Sequence, residues 1–264
     1  MRIGYAVLAL LISACSSNPS KEAVSDLAPS GTLRAAINVG NAVLAARGTP
    51  EPTGISVDLA RELARRLGVP VQLIVFDAAG KVVEAGKTGA WDIAFVALDP
   101  KRAAEIAQTP PYVQIEGAYM VRNDSKITSN DQVDRKGHRV VVGRNSAYDL
   151  YLTRVYKEAE IVRTPTSALV VDTMMKENYE VAAGVKQALE NDARRVPGVR
   201  LLPGRFMVIN QAMASQRITD TRGAAGAKYL REFIEEMKAS GFVAQAIERH
   251  KQPSAVVAPP GDPK

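Results

Sequence analysis

Apolar and polar positions alternate along this chain between two periods, and the alternation reads as strand followed by helix, many times over. Leu33–Ile37 reads as a first strand. Val57–Leu67 places Leu59, Leu63 and Leu67 four residues apart, the spacing of one helix face, and Gly68 supplies the stop. Val71–Phe76 reads as a continuous apolar run, the form expected of a strand covered on both faces. A helix of small residues over Ala78–Ala85 and a strand over Asp92–Leu98 follow. Asp99-Pro100 then marks a helix start, because the carboxylate caps free amides and proline fits the first helical position.

The second half repeats the pattern. Strands are expected at Arg139–Gly143, Ile161-Val162 and Val181–Ala183, and helices at Ala147–Tyr156, Ser167–Lys176 and Val185–Ala193. A long helix over Arg222–Ala239 gathers Tyr229, Leu230, Phe233, Ile234 and Met237 on one face. Such alternation predicts an α/β protein of mostly parallel sheets covered by helices, and ligands in such sheets sit at the carboxyl ends of the strands.

The two ends break the pattern. Met1-Arg2 is a short basic region, and Ile3–Ile12 is an apolar run too short to span a bilayer, as in a secretory leader. The tetrad Ile12-Ser13-Ala14-Cys15 resembles the bacterial lipobox, whose cysteine is acylated and becomes the first mature residue. An ordinary leader with an incidental cysteine is the alternative. Cys15 is the only cysteine, so no intramolecular disulfide forms. Residues 1–14 are thus expected to be a lipoprotein signal peptide, 15–31 a flexible tether and 252–264 a disordered, proline-rich tail.

Composition adds bounds. At 264 residues and 46% hydrophobic, the chain buries a sizeable core. The net charge of +6 is spread out rather than clustered, which argues against nucleic-acid binding and permits a weak attraction to anions. With only His138 and His250, and the one cysteine at the leader, neither a multi-histidine metal site nor a Cys-His pair is available. There is no phosphate-cradling loop or nucleophile elbow, so no cofactor and no catalytic residue are expected.

The order of several segments carries a resemblance. Thr53–Ala60 followed by Leu67–Val71, then Gly89–Ala94, Asp99–Arg102, Pro111-Tyr112 and Gly137–Leu152 are similar, in order and spacing, to elements of family-three solute-binding proteins. That family feeds polar amino acids and related solutes to ABC importers. The resemblance implies a periplasmic-binding-protein-like type II fold, two α/β lobes joined by two crossover strands. It puts lobe one at 32–118 with 210–251 and lobe two at 119–209, with crossovers near Tyr119–Val121 and Met207–Ile209. It also implies a monomer, lipid-anchored on the periplasmic side of a bacterial membrane, whose partners are a small-molecule ligand and an ABC permease. A module serving a membrane sensor or a periplasmic redox system is an alternative, as is a dehydratase-like enzyme on the same fold.

For the cleft, the resemblance implies that Arg102 meets a ligand carboxylate, in the first turn of the helix capped by Asp99. Ser146, with Asn145 and Ala147, begins a lobe-two helix where an anionic group is received, or serves as a plain cap. Arg144 in the same loop adds positive charge. Asn38 and Asn41 stand where the family often has a stacking aromatic, and Phe95 and Ala97 stand in the stretch before the arginine where hydroxyl residues are usual. Phe95 is expected to pack on an apolar part of the ligand. Amino-acid binders in the family place an acidic residue near Val181–Lys186 for the ligand ammonium, whereas this chain has Gly184 there. A buried ammonium with no carboxylate partner is costly, so an organic acid is expected rather than a standard α-amino acid. Lys186 is expected to be a solvated helix residue.

Overall fold

Two β-α-β-α-β units of the same construction flank a pair of long antiparallel strands in the computed structural model, which describes residues 18–217, 219 and 222–261. After a short helix, α1 (Lys21–Leu27), the first unit runs β1 (Leu33–Asn38), α2 (Ile55–Leu67), β2 (Val71–Phe76), α3 (Ala79–Gly86) and β3 (Ile93–Ala97). A single helical turn, α4 (Pro100–Ala103), leads into the long strand β4 (Ala107–Arg122). The second unit is β5 (Arg139–Gly143), α5 (Ala147–Val155), β6 (Glu160–Thr164), α6 (Val170–Lys176) and β7 (Val181–Val185). The chain continues through α7 (Lys186–Arg195), β8 (Val199–Leu201), β9 (Met207–Ser215), α8 (Ala224–Ala239), α9 (Phe242–Arg249) and β10 (Val256–Val257).

The strands lie in the order β2-β1-β3-β9-β4-β7-β5-β6. Within each unit the first strand is central and pairs in parallel with the other two. β9 pairs antiparallel with β3 and with β4, and the distal part of β4 pairs with β7 and β8. The result is the type II arrangement, two α/β lobes joined by two crossover strands. Because β1 and β5 are each flanked by strands reached through helices on opposite faces, their carboxyl ends are topological switch points where crevices open. The two crevices face one another across the crossovers.

Local chemistry explains the elements. α2 buries Ile55, Leu59, Leu63 and Leu67 along one face and ends at Gly68, whose φ of 69° is the left-handed conformation glycine adopts without strain. Its amide and that of Val69 bond back to Arg65 and Ala64 carbonyls. The hydrophobic core runs from lobe one through the crossovers, with a separate cluster around Met174 and Leu189 under lobe two.

Three expectations are corrected. β2 is the edge strand of its lobe, so Gln72 and Val75 are exposed rather than covered on both faces. The stretch expected to be a flexible tether contains α1: Ser20 caps it by accepting from Ala23 N, Ala23 and Leu27 are buried, and Asp26 accepts from the amides of Gly223 and Gly226 at the start of α8. The expected disordered tail is docked as far as Gly261. Val256 and Val257 pair with β4, Ala255 and Ala258 are buried, and the Ala258 amide donates to Tyr112 O. Small apolar residues between the prolines make that docking favourable. The leader and Cys15 lie outside the described residues. Among the described residues no helix is long and apolar enough to cross a membrane.

Candidate functional site

The facing carboxyl ends of the two parallel units enclose a cleft lined from both lobes. Lobe one contributes Asn38 at the end of β1, Asn41 just beyond it, Ala97 at the end of β3, and Arg102. Lobe two contributes Arg144, Ser146 and Ala147 after β5, and Gly184 in β7. The crossover β9 closes the floor with Ile209 and Gln211.

Arg102 is 2% exposed. Its guanidinium donates to Ala97 O at 2.9 Å and to Asn145 O at 2.8 Å, so it links the end of β3 to the loop of the opposite lobe. Among the described residues no carboxylate pairs with it directly. Burial pulls its pKa down to about 10, with the more distant charge of Asp99 working the other way. The group therefore stays cationic at neutral pH, inside the protein, without an ion-pair partner. α4 is one turn, so its free helix amides add little to a ligand at Arg102, and Asp99 Oδ1 already accepts from Lys101 N.

Across the cleft, Ser146 is the N-cap of α5, its Oγ accepting from Asp149 N at 3.0 Å. The buried Asp149 accepts from Asn145 N through Oδ2 and from Arg163 Nε through Oδ1. The start of α5 thus already holds a carboxylate of its own chain, and Ser146 has the cap role that was the alternative expectation. Asn145, with a φ of 56°, gives the cleft's arginine its carbonyl but does not itself line the cleft; it faces a neighbouring cavity with Gly80 and Glu84. The lobes meet closely here: a Cβ on Gly80 would lie 2.6 Å from that of Asn145. Arg144 is exposed at the cleft wall and, among the described residues, makes no side-chain hydrogen bond or ion pair.

Phe95 is placed elsewhere. Two residues before the end of β3 it sits about 7 Å deeper in the sheet, 2% exposed, edge-on to Tyr112 with ring centroids 6.0 Å apart. It is core, not cleft. Lys186 is also outside the cleft and pairs with Glu116 at 2.9 Å, which Arg205 also contacts.

The lobe-two wall explains Gly184. A Cβ there would lie 3.2 Å from Cγ and Cδ2 of Leu189, so a side chain at 184 requires Leu189 to give way by a few tenths of an ångström. Leu189, Val170 and Ala183 make this wall apolar. The carboxylate that does reach the cleft is Asp192, whose Oδ1 is held by Arg195 at 2.8 Å. Tyr148 also lines the cleft and donates to Ser167 Oγ at 2.6 Å, with burial raising its pKa.

Several cleft residues were missed from sequence, Leu189, Tyr148 and Gln211 among them. Leu189 comes to Gly184 only through the turn from β7 to α7. Tyr148 looked like an ordinary helix residue. Gln211 carried a signal, a polar residue within the apolar run Val208–Ala214. Among the described residues no cluster of side chains is arranged to hold a metal ion.

Comparison with known proteins adds the following. The family model for bacterial extracellular solute-binding proteins, family 3, matches residues 33–252. No curated protein sequence matches the chain. Among solved structures, the solute receptor for L-cysteine of Neisseria gonorrhoeae is 20% identical, over 88% of this chain and 94% of that one, with a TM-score of 0.73. A mutant of ArgBP from T. maritima is 18% identical over 87% and 99%, with a TM-score of 0.72. A histidine kinase sensor domain with similarity to periplasmic binding proteins is 21% identical over 86% and 98%, with a TM-score of 0.73. At these identities the structures speak for the fold.

Proposed function

The chain belongs to the bacterial extracellular solute-binding proteins of family 3, and from its cleft we infer that it captures a small, carboxylate-bearing solute outside the cytoplasm and delivers it to an ABC importer. The observation that carries this reading is the buried Arg102, a cation in the cleft with no carboxylate against it. A carboxylate bound there gives the guanidinium the counter-charge that the neutral acceptors Ala97 O and Asn145 O do not supply. Arg144, unpaired at the wall, adds to the positive potential. The space taken by Leu189 at Gly184 favours an organic acid over an α-amino acid, since no free carboxylate stands ready for an ammonium there.

A single chain builds both walls of the cleft, which suits a monomer that closes around its ligand. Cys15, at the end of the apolar leader, is the proposed lipid anchor. With α1 packed from Lys21 onward, only a few residues separate that cysteine from the folded clamp.

The test is a thermal-shift measurement with a panel of small carboxylates and amino acids. Carboxylates are expected to raise the melting temperature of the natural chain, and Arg102→Ala is expected to abolish that rise. An unchanged rise in the variant overturns the assignment. Mass spectrometry of membrane fractions is expected to find acylated Cys15; a mature protein that retains its leader contradicts the anchor.

A further inference from the structure

Gln211 is 5% exposed, and among the described residues its side-chain amide has no hydrogen-bond partner. It lies on β9 with its backbone paired to Ala97 on one side and Val113 on the other. Ile209, two residues earlier and so on the same face, lines the cleft with it. Asn210 between them faces the other way, and there the strand satisfies its amide: Asn210 Oδ1 accepts from Gln114 Nε2 at 2.8 Å. The crossover strand thus pairs an amide where it faces protein and leaves one unpaired where it faces the cleft.

A second amide in the same cleft has unmet capacity. Asn41 Oδ1 is shielded from solvent and accepts no hydrogen bond. Buried polar groups are almost always paired, because an unpaired one forfeits its hydration for nothing. Asn41 Oδ1 needs a donor, and Gln211 offers both donors and an acceptor. Both groups are neutral. Asp192, the carboxylate lining the cleft among the described residues, is engaged by Arg195, and Leu189 crowds the position at Gly184.

We propose that Gln211 and Asn41 form a neutral hydrogen-bonding subsite that selects carboxylates bearing an uncharged donor, a hydroxyl or an amide, over both bare and amino-bearing carboxylates. The proposal rests on the reading of the cleft as a carboxylate binder. A bare chain would leave both amides unpaired, and an ammonium would enter the site with no anion to neutralise it.

The experiment offers the full chain an equal mixture of four carboxylates on one five-carbon skeleton: pentanoate, 2-hydroxypentanoate, 5-amino-5-oxopentanoate and 2-aminopentanoate. Retention is read by equilibrium dialysis. The hydroxy or the amide member is expected to be retained at least about tenfold over the other two. Retention of pentanoate or 2-aminopentanoate at an equal or higher level overturns the subsite while leaving the carboxylate reading intact. Retention of none overturns both. Gln211→Leu is expected to bring the favoured member down to the level of pentanoate, and an equal loss for every member overturns the proposal. Should that strand substitution prevent folding, Asn41→Ala, in the loop after β1, is read against the same two outcomes.

Discussion

Arg154 on α5 reaches across the mouth of the cleft and donates to Asp99 Oδ2 at 2.7 Å, tying lobe two to the turn that presents Arg102 in lobe one. Asp99 is buried and its other oxygen caps Lys101, so its carboxylate is fixed before Arg154 arrives. The ion pair therefore acts on closure more than on the fold of either lobe. Arg102 bonds across the same gap through Asn145 O, and Gly80 leaves room for the approach.

Arg154→Met is expected to leave each lobe folded and to shift the unliganded protein towards open forms. Arg154 is partly exposed, so the pair contributes at most about 1 kcal/mol. Ligand binding should then weaken by roughly two- to fivefold, and the radius of gyration by small-angle scattering should rise without ligand and return with it. No change in either measurement would remove the pair from the closing motion.

The lowered pKa of Arg102 gives a pH dependence with a definite sign. Its charge is complete below about pH 9 and is lost as pH rises through about 10. Carboxylate affinity is accordingly expected to be level from pH 7 to 9 and to fall roughly tenfold by pH 11, measured by titration calorimetry. In Arg102→Lys the burial penalty falls on an ammonium, whose ordinary pKa is lower, so the fall should begin at lower pH. A profile level through pH 11 contradicts the role of this charge.

The docking of α1 predicts a stability effect far from the cleft. Asp26 accepts from two amides at the start of α8, and Leu27 is fully buried. Asp26→Ala is expected to cost about 1 kcal/mol and Leu27→Ala about 2–5 kcal/mol in urea unfolding. Removing residues 1–17 should change the midpoint little. Removing residues 1–30 should lower it by more than Asp26→Ala does. If both truncations behave alike, α1 is not part of the cooperative unit.

Much of this was legible in the sequence because periodicity reports directly on secondary structure. Every strand and helix of the two β-α-β-α-β units has a counterpart in the pattern, and the switch points then point to Asn38, Ala97, Arg144 and Gly184 at strand ends. What was not legible depended on neighbours distant in sequence. In Val71–Phe76 a single polar residue, Gln72, is the one hint that the strand lies at an edge. Composition hid the docking of α1 and of Val256–Val257, since a few apolar residues among serines and prolines decide each. Phe95 has the right residue type in the right strand but lies one rung too deep. Gln211 was visible as a polar residue in an apolar strand, yet only the fold turns it into the cleft.

Gly184 offers the sharpest test of how the lobe-two wall sets the ligand. Placing a carboxylate there alone is expected to fail, because its Cβ would meet Leu189 at 3.2 Å and the surrounding wall is apolar. Gly184→Asp should therefore lower the melting temperature, with an overpacking cost of about 1–3 kcal/mol, and should not gain amino-acid binding. Leu189→Ala in the same chain removes the obstructing side chain and leaves a space the carboxylate fills. The double variant should recover part of the lost stability and bind 2-aminopentanoate at least about tenfold better than the natural chain, because the ammonium now meets an anion. Non-additivity between the two substitutions is the diagnostic, since residues in contact couple. If Gly184→Asp alone is stable and binds amino acids, Leu189 is not what excludes them, and the preference must come from the amides on the cleft floor.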